Sequence, residues 1–300
     1  MPRLACGHPG RHGADGKRRM NIEHTVSFDC EGSRLYGVVS LPDQPPATIA
    51  HGMLVVVGGP QYRAGSHRQF TLLARSLAAR GIAVMRFDYR GMGDSEGEAR
   101  GFEDVGADLK AAIDCFTASV PGLRHLALWG LCDGASAIAF YAAGDTRVGG
   151  VALLNPWVRT EAGAARATLR HYYRARLFQR GLWSKILRGR FDARAALSSA
   201  FALAASALRP QPAPAVQAAL PERMADGLAR FEGRMLVMLS GADLTAQEFA
   251  DVAGADARWR GLLEQPRVTR HSLPGADHTC SRRVWHDQVV DWTCDWMRAW

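Results

Sequence analysis

From Ile22 onward, apolar and polar residues alternate over two short stretches, residues 22–29 (IEHTVSFD) and 34–41 (RLYGVVSL), separated by the turn-forming Glu31-Gly32-Ser33. A period of two predicts half-buried strands, and the short turn joins them as an antiparallel hairpin. The pattern then changes. Residues 53–57 (MLVVV) form a continuous apolar run ending at Gly58-Gly59-Pro60, which predicts a strand buried on both faces and stopped by a glycine turn. After it, helix and strand periods alternate: helix 70–79, strand 83–88, helix 102–117, strand 125–129, helix 134–143 and strand 150–154. A strand at 235–239, a helix at 247–263, a strand at 268–273 and an amphipathic helix at 284–297 complete the series. Such alternation implies right-handed crossovers and a mostly parallel sheet covered by helices on both faces, an α/β fold.

Between residues 156 and 230 the strand signal disappears. The interval is helical Arg/Ala/Leu sequence with a Pro-rich break, RPQPAPA. We therefore divide the chain into a core at 20–155, a helical cap insertion at 156–230 and a second core segment at 231–300. Residues 1–19 hold many Gly, Arg and His residues and no apolar segment, so they read as a disordered tail rather than a secretory signal. Met20, where the strand pattern starts, is the expected natural start. No run approaches the roughly 18 apolar residues of a membrane span, so no transmembrane segment is expected.

The chemistry concentrates where predicted strands end. The strand LALW runs into Gly130-Leu131-Cys132-Asp133-Gly134-Ala135-Ser136, a G-x-C-x-G between strand and helix. This is the nucleophile-elbow pattern with Cys in the nucleophile position. Small residues two before and two after the nucleophile let strand and helix approach closely, and the strained turn leaves the sulfur exposed at the carboxyl edge of the sheet. A helix N-terminus and a neighbouring imidazolium both favour the thiolate over a thiol whose free pKa is about 8.5. Taking Asp133 as the nucleophile instead would put Leu131 and Ala135 in the close-packing positions, which suits them less. Asp133 is expected to stabilise the first helical turn and to offer its backbone N–H to an oxyanion.

With this elbow the partners follow in the order acid, then histidine. Asp243 lies just past the strand MLVML, in Ser240-Gly241-Ala242-Asp243-Leu244-Thr245. The same position also suits an N-cap for the next helix. Of ten histidines, His278 alone occupies a loop after the final strand, in Pro274-Gly275-Ala276-Asp277-His278-Thr279. His271 falls inside that strand, and His51, His67 and His125 precede Cys132. His278 is thus the expected base, taking the thiol proton and later protonating the leaving group. The developing oxyanion also needs N–H donors, and Gly59 is the candidate beside Asp133 because Pro60 has no N–H. The His51-Gly52 pair is discounted because it precedes the predicted strand.

Composition narrows the rest. The six cysteines are scattered, without the spacing of a zinc site or the density of a disulfide scaffold, which fits a reducing cytoplasm. The net charge of +8 arises mainly between Asn155 and Arg230, where thirteen Lys and Arg face four Asp and Glu. No nucleic-acid-binding motif accompanies it. Solvated arginine-rich helix faces account for this charge, with attraction of an anionic substrate as the functional alternative. The expected partner is a small-molecule acyl substrate, with no cofactor and no metal.

Taken together, the elbow, Asp88-Tyr89-Arg90-Gly91-Met92-Gly93-Asp94-Ser95-Glu96-Gly97, the G-x-D and the late Asp-His resemble the α/β-hydrolase superfamily from Met20 to Trp300. More narrowly, GGPQYRAGSHRQF, GLCDGAS, SGADLTAQEF and ADHT resemble the type 1 hydrolase associated with the exosortase A and PEP-CTERM system. That resemblance implies a cytoplasmic hydrolase encoded beside exosortase genes. The cysteine is also similar to that of dienelactone hydrolases, whose surrounding sequence differs. The expected activity is hydrolysis of an ester or thioester through an acyl-cysteine. Acyl transfer by the same residues, or a non-catalytic binding protein on the same fold, are the alternatives.

Overall fold

The strand-length apolar runs assemble into one eight-stranded sheet. The computed structural model describes residues 22–43, 49–59, 61–158 and 219–300. The strands are β1 (Ile22–Cys30), β2 (Ser33–Leu41), β3 (His51–Val56), β4 (Ala83–Phe87), β5 (His125–Leu131), β6 (Val148–Leu154), β7 (Arg234–Ser240) and β8 (Val268–Leu273). They lie in the order β1-β2-β4-β3-β5-β6-β7-β8. The β1–β2 and β2–β4 pairings are antiparallel, and every pairing from β4 through β8 is parallel. The tail 1–19 and residues 159–218 of the expected cap lie outside the described residues.

The helices are α1 (Gln69–Ala78), α2 (Gly106–Ser119), α3 (Asp133–Tyr141), α4 (Leu220–Arg230), α5 (Leu244–Ala255), α6 (Ala257–Leu263) and α7 (Arg283–Arg298). Side-chain alternation along the central strands feeds two separate cores. Leu54 and Val56 of β3 and Leu128 of β5 pack with Leu109, Ile113 and Phe116 of α2, Ile138 of α3 and Met224 and Leu228 of α4. Met53 and Val55, with Trp129 of β5, turn to the other face, against Phe70, Leu73 and Leu77 of α1 and Val289, Val290 and Trp296 of α7. This is why the central strands read as continuous apolar runs: each face contributes roughly 1.5–3 kcal/mol per large side chain removed from water. Phe70 meets Trp129 edge-on, with ring centroids 5.9 Å apart.

Three expectations needed correction. First, β3 begins at His51, so His51 and Gly52 lie inside the strand rather than ahead of it. His51 hydrogen-bonds the Trp300 carbonyl at 2.7 Å and stacks on His125, at the end of the sheet opposite the site described below. Second, the helix expected at 247–263 is two helices. Asp256, with extended backbone, caps α6 by accepting from Arg258 N at 2.7 Å, and this carboxylate cap interrupts an otherwise continuous period. Third, the last residues of the expected cap interval form α4, which packs on α3 and joins the helical layer of the sheet. Gly227 of α4 sits against the Ala139 backbone so closely that no Cβ fits.

Parallel register carries the ends of the central strands to one edge. Val56 pairs with Gly130, Leu131 with Leu154, Leu154 with Met238 and Ser240 with Leu273. The loops that follow β3, β5, β6, β7 and β8 therefore converge, and these hold Gly59, Cys132, Asn155, Asp243 and His278. Among the described residues no helix is long and apolar enough to cross a membrane.

Candidate active site

Cys132 sits between β5 and α3 with φ 59° and ψ −126°. For a residue with a Cβ this backbone is strained, and such strain persists only where surroundings over-determine it. Here they do. Cys132 N donates to Leu154 O at 3.0 Å, and Cys132 O accepts from Ala135 N at 3.0 Å and Trp157 N at 3.3 Å. Ser136 bridges the same carbonyl to Trp157 O. The glycines of G-x-C-x-G are close-approach positions: a Cβ on Gly130 would lie 2.6 Å from Ala135 N, and one on Gly134 would run into Val56 O of β3.

Asp243 is the N-cap of α5 and accepts from Thr245 N at 3.3 Å and Ala246 N at 3.0 Å. Its Oδ2 also lies 2.9 Å from Nδ1 of His278. Both sequence-based roles for this carboxylate thus occur in one side chain, which is nearly buried. With Nδ1 engaged by Asp243, the Cys132 side chain acts on the same imidazole: the Asp243 hydrogen bond, then the interaction with Cys132, raise the His278 pKa to about 10 against the opposing effect of burial. The structure therefore brings Cys132, His278 and Asp243 together at one edge of the sheet, each supplied by the loop after a different strand.

Asn155 and His67 had no role in the sequence analysis. Asn155 follows β6, is fully buried and has φ 47°. Its Nδ2 donates to His278 O and to Ser240 Oγ, both at 3.0 Å, and its Oδ1 accepts from Ser240 N at 2.8 Å. It staples the histidine loop to β7. An Asn directly after a buried strand, tolerant of positive φ, was the available signal. His67 precedes Cys132 in sequence and was set aside for that reason. Its Nε2 lies 3.0 Å from Thr279 Oγ1, beside His278, and both His67 and Arg68 have positive φ. The loop carrying them is fixed to the β4 end through Arg63, which pairs with buried Asp88 and with Asp94.

Around the expected oxyanion position the arrangement differs from expectation. Gly59 N does not stand free: it donates to Oδ2 of Asp133 at 2.7 Å. On sequence grounds the Asp133 side chain belongs to the first turn of the helix and its backbone N–H serves the oxyanion. Its carboxylate instead reaches across to the β3 loop, because the adjoining Gly58 has no Cβ to obstruct it. Burial raises the Asp133 pKa, while the amides of Gly59, Asp133 and Gly134 and the charge of His278 oppose the rise.

Of the neighbouring thiols, Cys280 is buried and its pKa is pushed up to about 11, chiefly by burial. The five described cysteines are all free thiols. Among the described residues no three His, Cys, Asp or Glu side chains are grouped so as to hold a metal ion. A sulfur, an imidazole that contacts it and a carboxylate that orients the imidazole make a constellation suited to nucleophilic attack on an acyl carbon.

Residues 50–243, more than half of the chain, match the family described as serine aminopeptidase, S33. A stretch of 114 residues is 32% identical to the quorum-quenching protein AidA of Acinetobacter baumannii, strain MDR-ZJ06. That match spans 36% of this chain and 36% of the relative, so the chain spans about a third of the curated relative it resembles. Among solved structures, Est1E from Butyrivibrio proteoclasticus with bound ferulic acid has a TM-score of 0.61 at 15% identity, over 91% of this chain and 98% of that one. An esterase of Pyrococcus furiosus has a TM-score of 0.61 at 14% identity, over 93% of this chain and 91% of that one. At such identities the likeness is one of fold.

Proposed function

The chain belongs to the serine aminopeptidase S33 family and is an α/β-fold hydrolase, and from that premise we propose that it hydrolyses an activated acyl compound, an ester or thioester, through an acyl-cysteine on Cys132. The observation that carries this reading is the placing of Cys132, at the strained elbow, beside His278, whose imidazole Asp243 holds through Nδ1. The family is named for a serine enzyme, and this chain has a cysteine at the nucleophile position of the elbow. A thiol gives up its proton far more readily than a serine hydroxyl, and the thiolate is the stronger nucleophile at neutral pH.

In the proposed reaction the proton of Cys132 passes to His278 and Sγ bonds to the acyl carbon. Asp243 holds the imidazole by Nδ1 and balances the imidazolium charge. As the tetrahedral intermediate collapses, the bond to the leaving group breaks and His278 gives the proton to it. A water then gives a proton to His278 as its oxygen bonds to the thioester carbon; the C–S bond breaks, the acid leaves and His278 returns the proton to Sγ. The raised pKa of His278, caused first by Asp243 and then by Cys132, supports this grouping of the three side chains. The motifs GGPQYRAGSHRQF, GLCDGAS, SGADLTAQEF and ADHT support placing the chain in the type 1 exosortase A-associated group, acting in the cytoplasm on a small acyl compound.

The test is hydrolysis of p-nitrophenyl esters by the purified protein and by Cys132→Ala. Loss of turnover with the fold retained supports the reading, and near-wild-type turnover by the variant overturns it.

A further inference from the structure

The amide of the residue after the nucleophile and an amide from the loop after β3 are the two donors an oxyanion would use. In this chain they are those of Asp133 and Gly59, and the Gly59 amide donates to the Asp133 carboxylate. The contact measures 2.7 Å, within the range of a charge-assisted hydrogen bond. The carboxylate lies at the N-terminus of α3, where the amides of Asp133 and Gly134 also favour its charged form. An amide donor at a helix N-terminus provides the field that a tetrahedral acyl oxyanion requires, and the chain's own negative charge already occupies it. The fit is built in: a Cβ on Gly58 would collide with Oδ1 of Asp133, so the carboxylate and the glycine loop are shaped to each other.

We propose that Asp133 is a specificity-determining gate of the oxyanion site: its carboxylate occupies the Gly59 donor in the free enzyme and turns out before a substrate carbonyl oxygen takes it. Two negative oxygens cannot share one donor about 3 Å away without strong repulsion, so occupancy is exclusive. The cost of turning the carboxylate out falls on binding energy made away from the carbonyl. Acyl compounds that fill the rest of the site are therefore turned over, while small activated esters, which make few other contacts, acylate slowly. The gate also restrains Cys132 against adventitious acylation. This inference rests on Cys132 as the nucleophile.

Two rates are to be measured on wild type, Asp133→Ala and Asp133→Asn. One is acetylation of Cys132 by p-nitrophenyl acetate, read as the mass adduct. The other is alkylation of Cys132 by iodoacetamide, which displaces iodide and forms no oxyanion. The ratio of acetylation to alkylation isolates the oxyanion site from the reactivity of the sulfur. It is expected to rise on the order of tenfold in Asp133→Ala, given what single oxyanion donors contribute, and to take an intermediate value in the isosteric Asp133→Asn. An unchanged or lower ratio in the variants overturns the gate and leaves Asp133 as a residue that merely shapes the loop. Should Asp133→Ala fail to fold, Asp133→Asn decides by the same ratio. Wild-type protein that is labelled by neither reagent at Cys132 overturns the nucleophile itself, an outcome distinct from failure of the gate.

Discussion

Asp243 serves two structures through one carboxylate, and an isosteric change separates them. Asn caps a helix as well as Asp does, so Asp243→Asn should keep the bond from Ala246 N, and its cost in urea unfolding should come from the lost pairing with His278 and be largest below the folded pKa of that imidazole. It removes the charge that holds His278, and ester turnover should fall on the order of 10²-fold. Equal effects on stability and activity would contradict this division. His278 gives a second prediction. Its pKa is raised from 6.5 to about 10 in the folded protein, so the stability it contributes is fully present below about pH 6.5 and is lost as pH rises through about 10. The stability advantage of wild type over His278→Gln should therefore be largest near pH 6 and shrink toward pH 10, as read from denaturation midpoints. At this scale the positions of Cys132, Asp243 and His278 were legible because chain order and strand ends constrain them. The Asp133 side chain was not, since its contact with Gly59 joins residues 74 positions apart and no local pattern encodes which way a carboxylate turns.

The loops after β6 and β8 are held together by Asn155, an arrangement that strand periodicity does not reveal. Asn155→Ala would leave the buried Ser240 N without its side-chain acceptor and free the His278 carbonyl, and should destabilise the protein by about 1–3 kcal/mol. It should also lower turnover, because the histidine loop loses its tie to β7. Unfolding curves and turnover measured together check this, and an unchanged pair of values would show the staple to be dispensable. Strands were legible to within a few residues because burial on both faces leaves continuous apolar runs. Helix ends were less so. The break at Asp256 depends on a side chain that competes for the backbone N–H of Arg258, and the assignment of α4 to the core depends on packing against α3, which sequence period alone does not express.

At the scale of the whole molecule, a mostly parallel sheet gathers five loops at one edge, and that order was readable from strand and helix periods alone. The arginine-rich interval was readable only as composition, and most of it lies outside the described residues. If its arginines meet the substrate, turnover of an anionic ester should fall with added salt much more steeply than turnover of a neutral one; identical salt responses would leave them as solvated surface. Acylation of Cys132 can be tested without knowing the substrate. Wild-type protein, quenched in acid during turnover of a p-nitrophenyl ester, should carry one acyl group, located by peptide mass spectrometry on Cys132 and absent from Cys132→Ala. An acyl group found on another residue, or turnover by wild type with no adduct and undiminished turnover by Cys132→Ala, would contradict it.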